Sequence, residues 1–427
     1  MQKFLDLNHW KNIFTGSPTR KRLTENFLSL SVLQAVNYLL PLITLPYLVR
    51  VLGPEKFGLI AFAQSFIQYF NILTDYGFNL SATREISIYR DNKEKISEIF
   101  SSVMIIKFGL LVLSFIIMSV IVFSFEKFKN DWLIYYLTFG MVVGQFLFPV
   151  WFFQGMERMK YITILNIVAR GIFTVSIFIF IKKMADYLYV PLLNSLSFLV
   201  AGFLAMYIIF KKFQLKVMLP RFQLTFRYFK NSAQFFLSRV SVSIYTFTNT
   251  FILGIFTDNK TVGYYSIAEK LYIALQQIYS PLVNALYPYI VHKKNVYLYK
   301  KIFKFTIFLN ITLLLCVFVL SNHIIEIIFG KGLEISSNIF KILILSAMVV
   351  VPSILLGYPF LAAMGYSNYA NFSVIVGSIF HLSGLGILAI FHLINGYTVA
   401  LMVLVTESFV LSIRLYGTIK HNLWKRN

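Results

Sequence analysis

The sequence predicts an all-α integral membrane protein of about twelve transmembrane helices in two six-helix halves, and three observations predict it. First, hydrophobic residues make up 58% of the 427 residues and charged residues only 13%. That is about half the charged share of a soluble protein, too little to cover a water-exposed surface. Second, the apolar residues gather in runs of about twenty, the length at which a helix crosses hydrocarbon. They lack the strict alternation of a β-barrel strand. Third, short patterns in the first half of the chain recur in the second. A secreted disulfide scaffold is excluded, since Cys316 is the single cysteine.

Taken in chain order, residues 1–24 are polar and mixed, and end in Arg20, Lys21 and Arg22 with no apolar core before them. They read as a cytoplasmic N-terminal segment and not as a cleavable signal. Its Phe4, Leu5, Leu7, Trp10, Ile13 and Phe14 suit equally a segment lying on the membrane surface and an untethered tail. Twelve spans follow, at 26–49, 57–79, 98–124, 132–152, 161–181, 187–210, 232–256, 262–290, 303–320, 338–363, 369–391 and 396–416. With the N-terminus in the cytoplasm, the cytoplasmic segments carry 25 Lys and Arg residues and the outer connections 8. That asymmetry places both termini inside. It also accounts for most of the net charge of +22, with no need for a nucleic-acid partner.

The longest cytoplasmic connection, 211–230, divides the chain into a half at 25–210 and a half at 231–416, with a tail at 417–427. Pro54-Glu-Lys-Phe-Gly-Leu-Ile-Ala-Phe-Ala63 after the first span answers to Asn259-Lys-Thr-Val-Gly-Tyr-Tyr-Ser-Ile-Ala268 after the seventh, pairing Gly58 with Gly263 and Ala63 with Ala268. Pro149 and Gly155 likewise recur as Pro359 and Gly365. Two matches at nearly one offset indicate a duplication. An even number of spans per half makes the repeats parallel, with a substrate path between them.

Three motifs carry a family resemblance. They are Asn37-Tyr-Leu-Leu-Pro-Leu-Ile-Thr-Leu-Pro-Tyr-Leu-Val-Arg-Val-Leu-Gly-Pro-Glu-Lys-Phe-Gly58, Asp75-Tyr-Gly-Phe-Asn-Leu-Ser-Ala-Thr-Arg-Glu85 and Pro149-Val-Trp-Phe-Phe-Gln-Gly-Met-Glu157. They resemble the signatures of bacterial lipid-linked oligosaccharide flippases of the Wzx type. These form the polysaccharide transporter branch of the MOP superfamily, which also holds the MATE multidrug antiporters. The resemblance is specific over residues 25 to 160 and architectural beyond. It implies a MATE-like bundle in the bacterial inner membrane that moves undecaprenyl-pyrophosphate-linked glycan units, for O-antigen, capsule or another polysaccharide, to the outer leaflet. It also implies a polysaccharide polymerase and a chain-length regulator as partners.

Six basic residues are not explained by topology: Lys107, Arg170, Arg239, Lys270, Lys341 and Arg414. A charge at membrane depth must face a bundle interior or a water-filled cavity. Arg170 falls at the midplane, and Lys107, Arg239 and Lys270 lie well inside their spans. These four are the substrate-path candidates, the alternative being neutralisation by internal acids. Lys341 and Arg414 are close enough to span ends to snorkel. The acids at depth are Asp75, Glu269 and Glu407, so the interior is biased toward positive charge. That suits pyrophosphate and acidic sugars and suits the cationic drugs of a multidrug antiporter poorly. Glu407 is the candidate for coupling to H+ or Na+, as a carboxylate whose protonation desolvation would favour. Asp75 and Arg84, at the cytoplasmic end of span two, suit either an inner gate or a clamp on a helix end.

Prolines at positions 41, 46, 149, 281, 352 and 359 supply hinges or static kinks. No phosphate-binding glycine loop occurs, and the histidines lack metal-ligand spacing, so neither cofactor nor metal is expected. His381 reads as a hydrogen-bonded packing residue. A membrane polymerase, the rival enzyme class, needs a sizeable outer loop. The longest here is 321–337, with only Glu326 and Glu334 as acids.

Overall fold

The computed structural model describes residues 18–425. Inside this range the side chains of 18–28, 30, 31, 35, 38, 39, 237–239, 241–246 and 425 are left aside. Most of the expected segment 1–24 therefore lies outside the described residues. Each of the twelve expected spans is occupied by helix, and no strand is present among the described residues. Among the described residues nine helices are long and apolar enough to cross a membrane.

The helices are α1 (Pro18–Asp75), α2 (Phe78–Ile88), α3 (Lys93–Ser124), α4 (Trp132–Leu147), α5 (Val150–Gly155), α6 (Met159–Phe180) and α7 (Tyr189–Lys212). After the connection come α8 (Phe222–Phe256), α9 (Asn259–Gln277), α10 (Ser280–Lys293), α11 (Val296–Phe329), α12 (Glu334–Leu356), α13 (Ser367–Ile390) and α14 (Gly396–Lys420). The connection is shorter than expected, because helix resumes at Phe222 inside 211–230.

Helix breaks fall where the backbone leaves helical geometry. Spans one and two form a single helical element interrupted only at Gly53 (φ 71°). Span two stops at Asp75, where Tyr76 (φ 46°) and Gly77 (φ 74°) are left-handed, and resumes as α2. Span four breaks between α4 and α5 at Pro149, which has no N–H to continue the ladder. Span ten widens at Gly357–Ala362 into a π-helical turn containing Pro359. The expected pairing of Pro149 with Pro359 thus corresponds to a helix irregularity in each half.

The chain forms two compact units, Met1–Leu45 with Phe66–Val240, and Pro46–Ser65 with Ser241–Asn427. These boundaries differ from the sequence halves by one exchanged stretch on each side. The end of span one and start of span two belong with the second unit, and the first part of α8 belongs with the first. The physical reason is close packing of the exchanged stretches on their hosts, described below.

Within the first unit α4 packs on α7, α6 on α7, α3 on α4, and α2 on α5. Within the second, α12 packs on α14, α13 on α14, α11 on α12, and α10 on the π-helical turn. Counted by span, these are the same pairings shifted by six. The α4–α7 contact is close because Gly140 and Gly144, four apart, face Ser195 and Phe198, the small-residue spacing that lets helices approach. Trp151, Phe152 and Phe153 of α5 are fully buried and anchor the first core, with Phe100 at 5.8 Å from Trp151. In the second, Tyr299 stacks on Phe360 at 4.4 Å.

Candidate functional site

In the first unit, the end of α1 carries Asp75, which accepts a hydrogen bond from Asn79 at 2.9 Å and pairs with Lys107 of α3 at 3.3 Å. Lys107 is buried, so its charge is balanced where it sits. One-helix-turn spacing puts Asn79 beside Asp75 across the Gly77 break. Thr74 meets Ser114 of α3 at 3.2 Å just above.

Arg84 is exposed on α2 and lines a cavity of about 370 Å³ with Glu85, Tyr228, Lys230, Asn231 and Gln234. Its side chain makes no hydrogen bond to a helix end among the described residues. Arg90 clamps a helix end instead, donating to the Gly155 carbonyl at the end of α5 and pairing with Glu157 at 2.8 Å. A cation is favoured at a helix C-terminus by the macrodipole. Next to this clamp, α2 is held against the first turns of α8. Tyr76 stacks on Phe229 at 4.5 Å and on Phe236 at 4.7 Å, and Ser81 shares a 2.7 Å hydrogen bond with Ser232. A Cβ on Gly77 would stand 2.7 Å from the Phe236 backbone nitrogen. Both its left-handed φ and this approach require glycine.

Arg170 lies at the middle of α6 and is partly buried. Its Nε has no hydrogen-bond partner and it forms no ion pair among the described residues. This contrasts with Lys107. Arg239 lies on α8, but its side chain falls outside the described residues.

In the second unit Lys270 is exposed on α9, while its neighbour Glu269 is partly buried and accepts from Thr250 at 3.0 Å. Glu407 is partly buried on α14 and near Tyr272 of α9. The expected candidates are thus divided between the two units. In the first unit Asp75 pairs with Lys107, and Arg170 has no ion-pair partner among the described residues; Lys270, Glu269 and Glu407 belong to the second unit. Arg414 does not snorkel. It is buried and turns inward, donating from Nε to Ser373 at 2.9 Å and from Nη1 to the Ser353 carbonyl at 2.7 Å, under Gly357 of the π-helical turn. Those acceptors are hydroxyls and a carbonyl, which carry no charge for a sequence reading to detect.

A second missed feature is the contact of the exchanged stretch with its host. A Cβ on Gly58 would meet the Asn259 carbonyl oxygen at 1.9 Å, and one on Gly263 would meet the Pro54 carbonyl oxygen at 1.9 Å. The segments matched in sequence therefore touch reciprocally, Gly58 lying against Gly263 and Asn259 and Gly263 against Pro54. The signal was present as a repeat, but nothing in a repeat says that its copies touch. Just before, Asp258 caps α9 by accepting from the Thr261 N–H at 2.7 Å. The Thr261 hydroxyl and that N–H hold its carboxyl below the ordinary carboxylate value. Among the described residues no group of three His, Cys, Asp or Glu side chains is placed to hold a metal ion.

Comparison with known proteins agrees with this picture. The chain is 29% identical over 399 residues to a "Putative O-antigen transporter" of Escherichia coli (strain K12), covering 92% of this chain and 96% of the relative. A protein of the same name from Shigella dysenteriae is 27% identical over 84% of this chain and 91% of its own. Among solved structures, "Lipid II flippase MurJ, inward closed conformation" matches with a TM-score of 0.72 at 14% identity, over 93% of this chain and 87% of that one. An inward-facing multidrug resistance MATE family transporter of the MOP superfamily matches with a TM-score of 0.68 at 13% identity, over 94% and 99%. At such identities these structures establish the fold, the MATE-like all-α bundle expected from sequence. The family model described as "Polysaccharide biosynthesis protein" matches residues 23–294, well over half of the chain, and the chain belongs to that family.

Proposed function

We propose that this chain is a flippase that carries undecaprenyl-pyrophosphate-linked oligosaccharide from the inner to the outer leaflet of the bacterial cytoplasmic membrane by alternating access, with both termini in the cytoplasm. Family membership and the two relatives named as O-antigen transporters support a lipid-linked glycan as cargo. The observation that carries the mechanism is Arg170. A guanidinium in mid-span without an acid partner among the described residues is costly unless something anionic visits it. A pyrophosphate offers the planar fork paired acceptors. Arg239 is the second cation of this path. Lys107 contributes less, because Asp75 already balances it.

In this reading the two close-packed contacts have opposite duties. The Tyr76, Ser81 and Gly77 contact with α8 closes the cytoplasmic end, and the Gly58–Gly263 contact closes the outer end. The cargo's binding energy must differ between the states that open each one for transport to be net. A coupling ion supplies the direction, and a polymerase and a chain-length regulator act on the delivered unit. The test is surface glycan in a strain lacking its own flippase. The intact chain restores it and Arg170→Ala, at equal expression, lowers it at least about tenfold, some 1.4 kcal/mol of transition-state binding. Full export by Arg170→Ala removes Arg170 from the mechanism.

A further inference from the structure

The second unit contains a buried polar chain that the glycan path does not use. His381 of α13 is fully buried within an apolar span. Its Nε2 lies 2.8 Å from Asn249 Oδ1 of α8, and its Nδ1 lies 2.8 Å from Thr406 Oγ1 of α14. Tyr265 of α9 is hydrogen-bonded to both Asn249 and Glu269, and Thr250 donates to Glu269 at 3.0 Å. The sequence of contacts is thus Thr406, His381, Asn249, Tyr265, Glu269, Thr250. It links four helices and joins His381 to Glu269 through Asn249 and Tyr265.

The proton positions follow from donor counting. Asn249 presents its oxygen to His381, so Nε2 carries a hydrogen. Its amide nitrogen is then free to donate to Tyr265, whose hydroxyl donates to the Glu269 carboxylate. Thr406 has one hydroxyl hydrogen and stands 2.7 Å from the Met402 carbonyl, which can only accept. With that hydrogen on Met402, the Thr406 oxygen faces Nδ1 as an acceptor and the ring is served as imidazolium. With the hydroxyl turned toward Nδ1, the same ring is served as neutral imidazole. One hydroxyl rotation therefore accommodates both protonation states without leaving a buried polar atom unpaired. A histidine that served packing alone would need only one of them.

We propose that His381 and Glu269, bridged by Asn249 and Tyr265, form a proton-binding unit that couples one H+ to the transport cycle. The proposal rests on the transporter reading above. A proton from water adds to Nδ1 and gives an imidazolium whose charge balances the Glu269 carboxylate across the bridge. Its departure leaves that carboxylate without this balance, which a low-dielectric interior disfavours. Lys270 adjoins Glu269 but is exposed, and Glu407 lies near Tyr272 at the edge of the network. Among the described residues Tyr265, Tyr272, Lys270 and Glu407 are the other titratable groups brought to it by α9 and α14, and α8 contributes the neutral Asn249 and Thr250. The site suits a proton better than Na+, since Nε2 already bears a hydrogen and Nδ1 meets acceptors.

The test uses the full chain in phosphatidylethanolamine–phosphatidylglycerol vesicles, with imidazole nitrogens followed by solid-state NMR from roughly pH 5 to 8. The His381 signal, identified by its loss in His381→Gln, should pass between a one-proton and a two-proton ring. Its proton affinity should change about tenfold in Glu269→Gln and in Tyr265→Phe, the second of which keeps the ring and removes only the link. A ring that stays in one form throughout, or one that titrates identically in Tyr265→Phe, overturns the proposal. In parallel, glycan export by the intact chain should fall at least about tenfold on adding a protonophore, and export by Tyr265→Phe should no longer respond. If the intact chain exports nothing while the ring titrates as described, the cargo assignment fails and the proton unit stands. If it exports and the ring does not titrate, the reverse holds.

Discussion

Arg414 and Lys107 are both buried cations, and their partners give them different energetics. Lys107 faces a single carboxylate, Asp75. Removing one member of such a pair strands the other, so Lys107→Met is expected to cost about 3 kcal/mol of stability, and Lys107→Met with Asp75→Asn less than either change alone. Thermal unfolding of the four proteins in one detergent closes this cycle. Arg414 meets neutral acceptors on two other helices through a planar fork. Arg414→Lys should therefore fail to rescue Arg414→Met, and both should lower the melting temperature by several degrees. Asp258 has a folded-state carboxyl held below its ordinary value. Its capping contribution, about 1 kcal/mol, is present above about pH 4 and is lost as pH falls through the depressed value. Asp258→Ala should accordingly destabilise at neutral pH and make little difference in strong acid.

At the scale of helices, the exchanged stretches matter most. Gly58 and Gly263 approach backbone to backbone, where no flexible side chain can give way. Gly58→Ala or Gly263→Ala should cost about 1–3 kcal/mol by overpacking. In cells either should favour the state in which this contact is open, read as greater labelling of a cysteine introduced nearby. Most helices were legible from sequence because a run of twenty apolar residues is set by bilayer thickness alone. The left-handed residues Tyr76 and Gly77 were not, since span two remains apolar through them and only the approach of Phe235 and Phe236 requires the break. The start of α8 at Phe222 was hidden for the opposite reason: its first turns carry Arg227 and Lys230 and look like connection. Among site residues the isolation of Arg170 was legible as a charge in an apolar run. The hydrogen bonds of His381 were not, because its partners Asn249 and Thr406 are ordinary polar residues far away in the chain. The triplet Thr248-Asn249-Thr250 inside span seven was the one local signal.

For the molecule as a whole, the same pairing of spans in each unit and the recurring irregularities at Pro149 and Pro359 fit a duplicated six-helix element. Helix irregularities fall near the ends of spans two, four and ten and within span eight. Under the proposed mechanism these are the places where helices would reorient. The measurement that bears most directly on the proposed function is flipping in vitro. Purified chain would be placed in vesicles holding undecaprenyl-pyrophosphate-linked oligosaccharide, and exposure of the glycan to a membrane-impermeant glycosidase followed over time. The account predicts that the inner-leaflet pool becomes accessible with the intact chain and stays protected with the Arg170→Ala, Arg239→Ala double variant. Equal exposure by the double variant, or none by the intact, folded chain across several donor glycans, would contradict it.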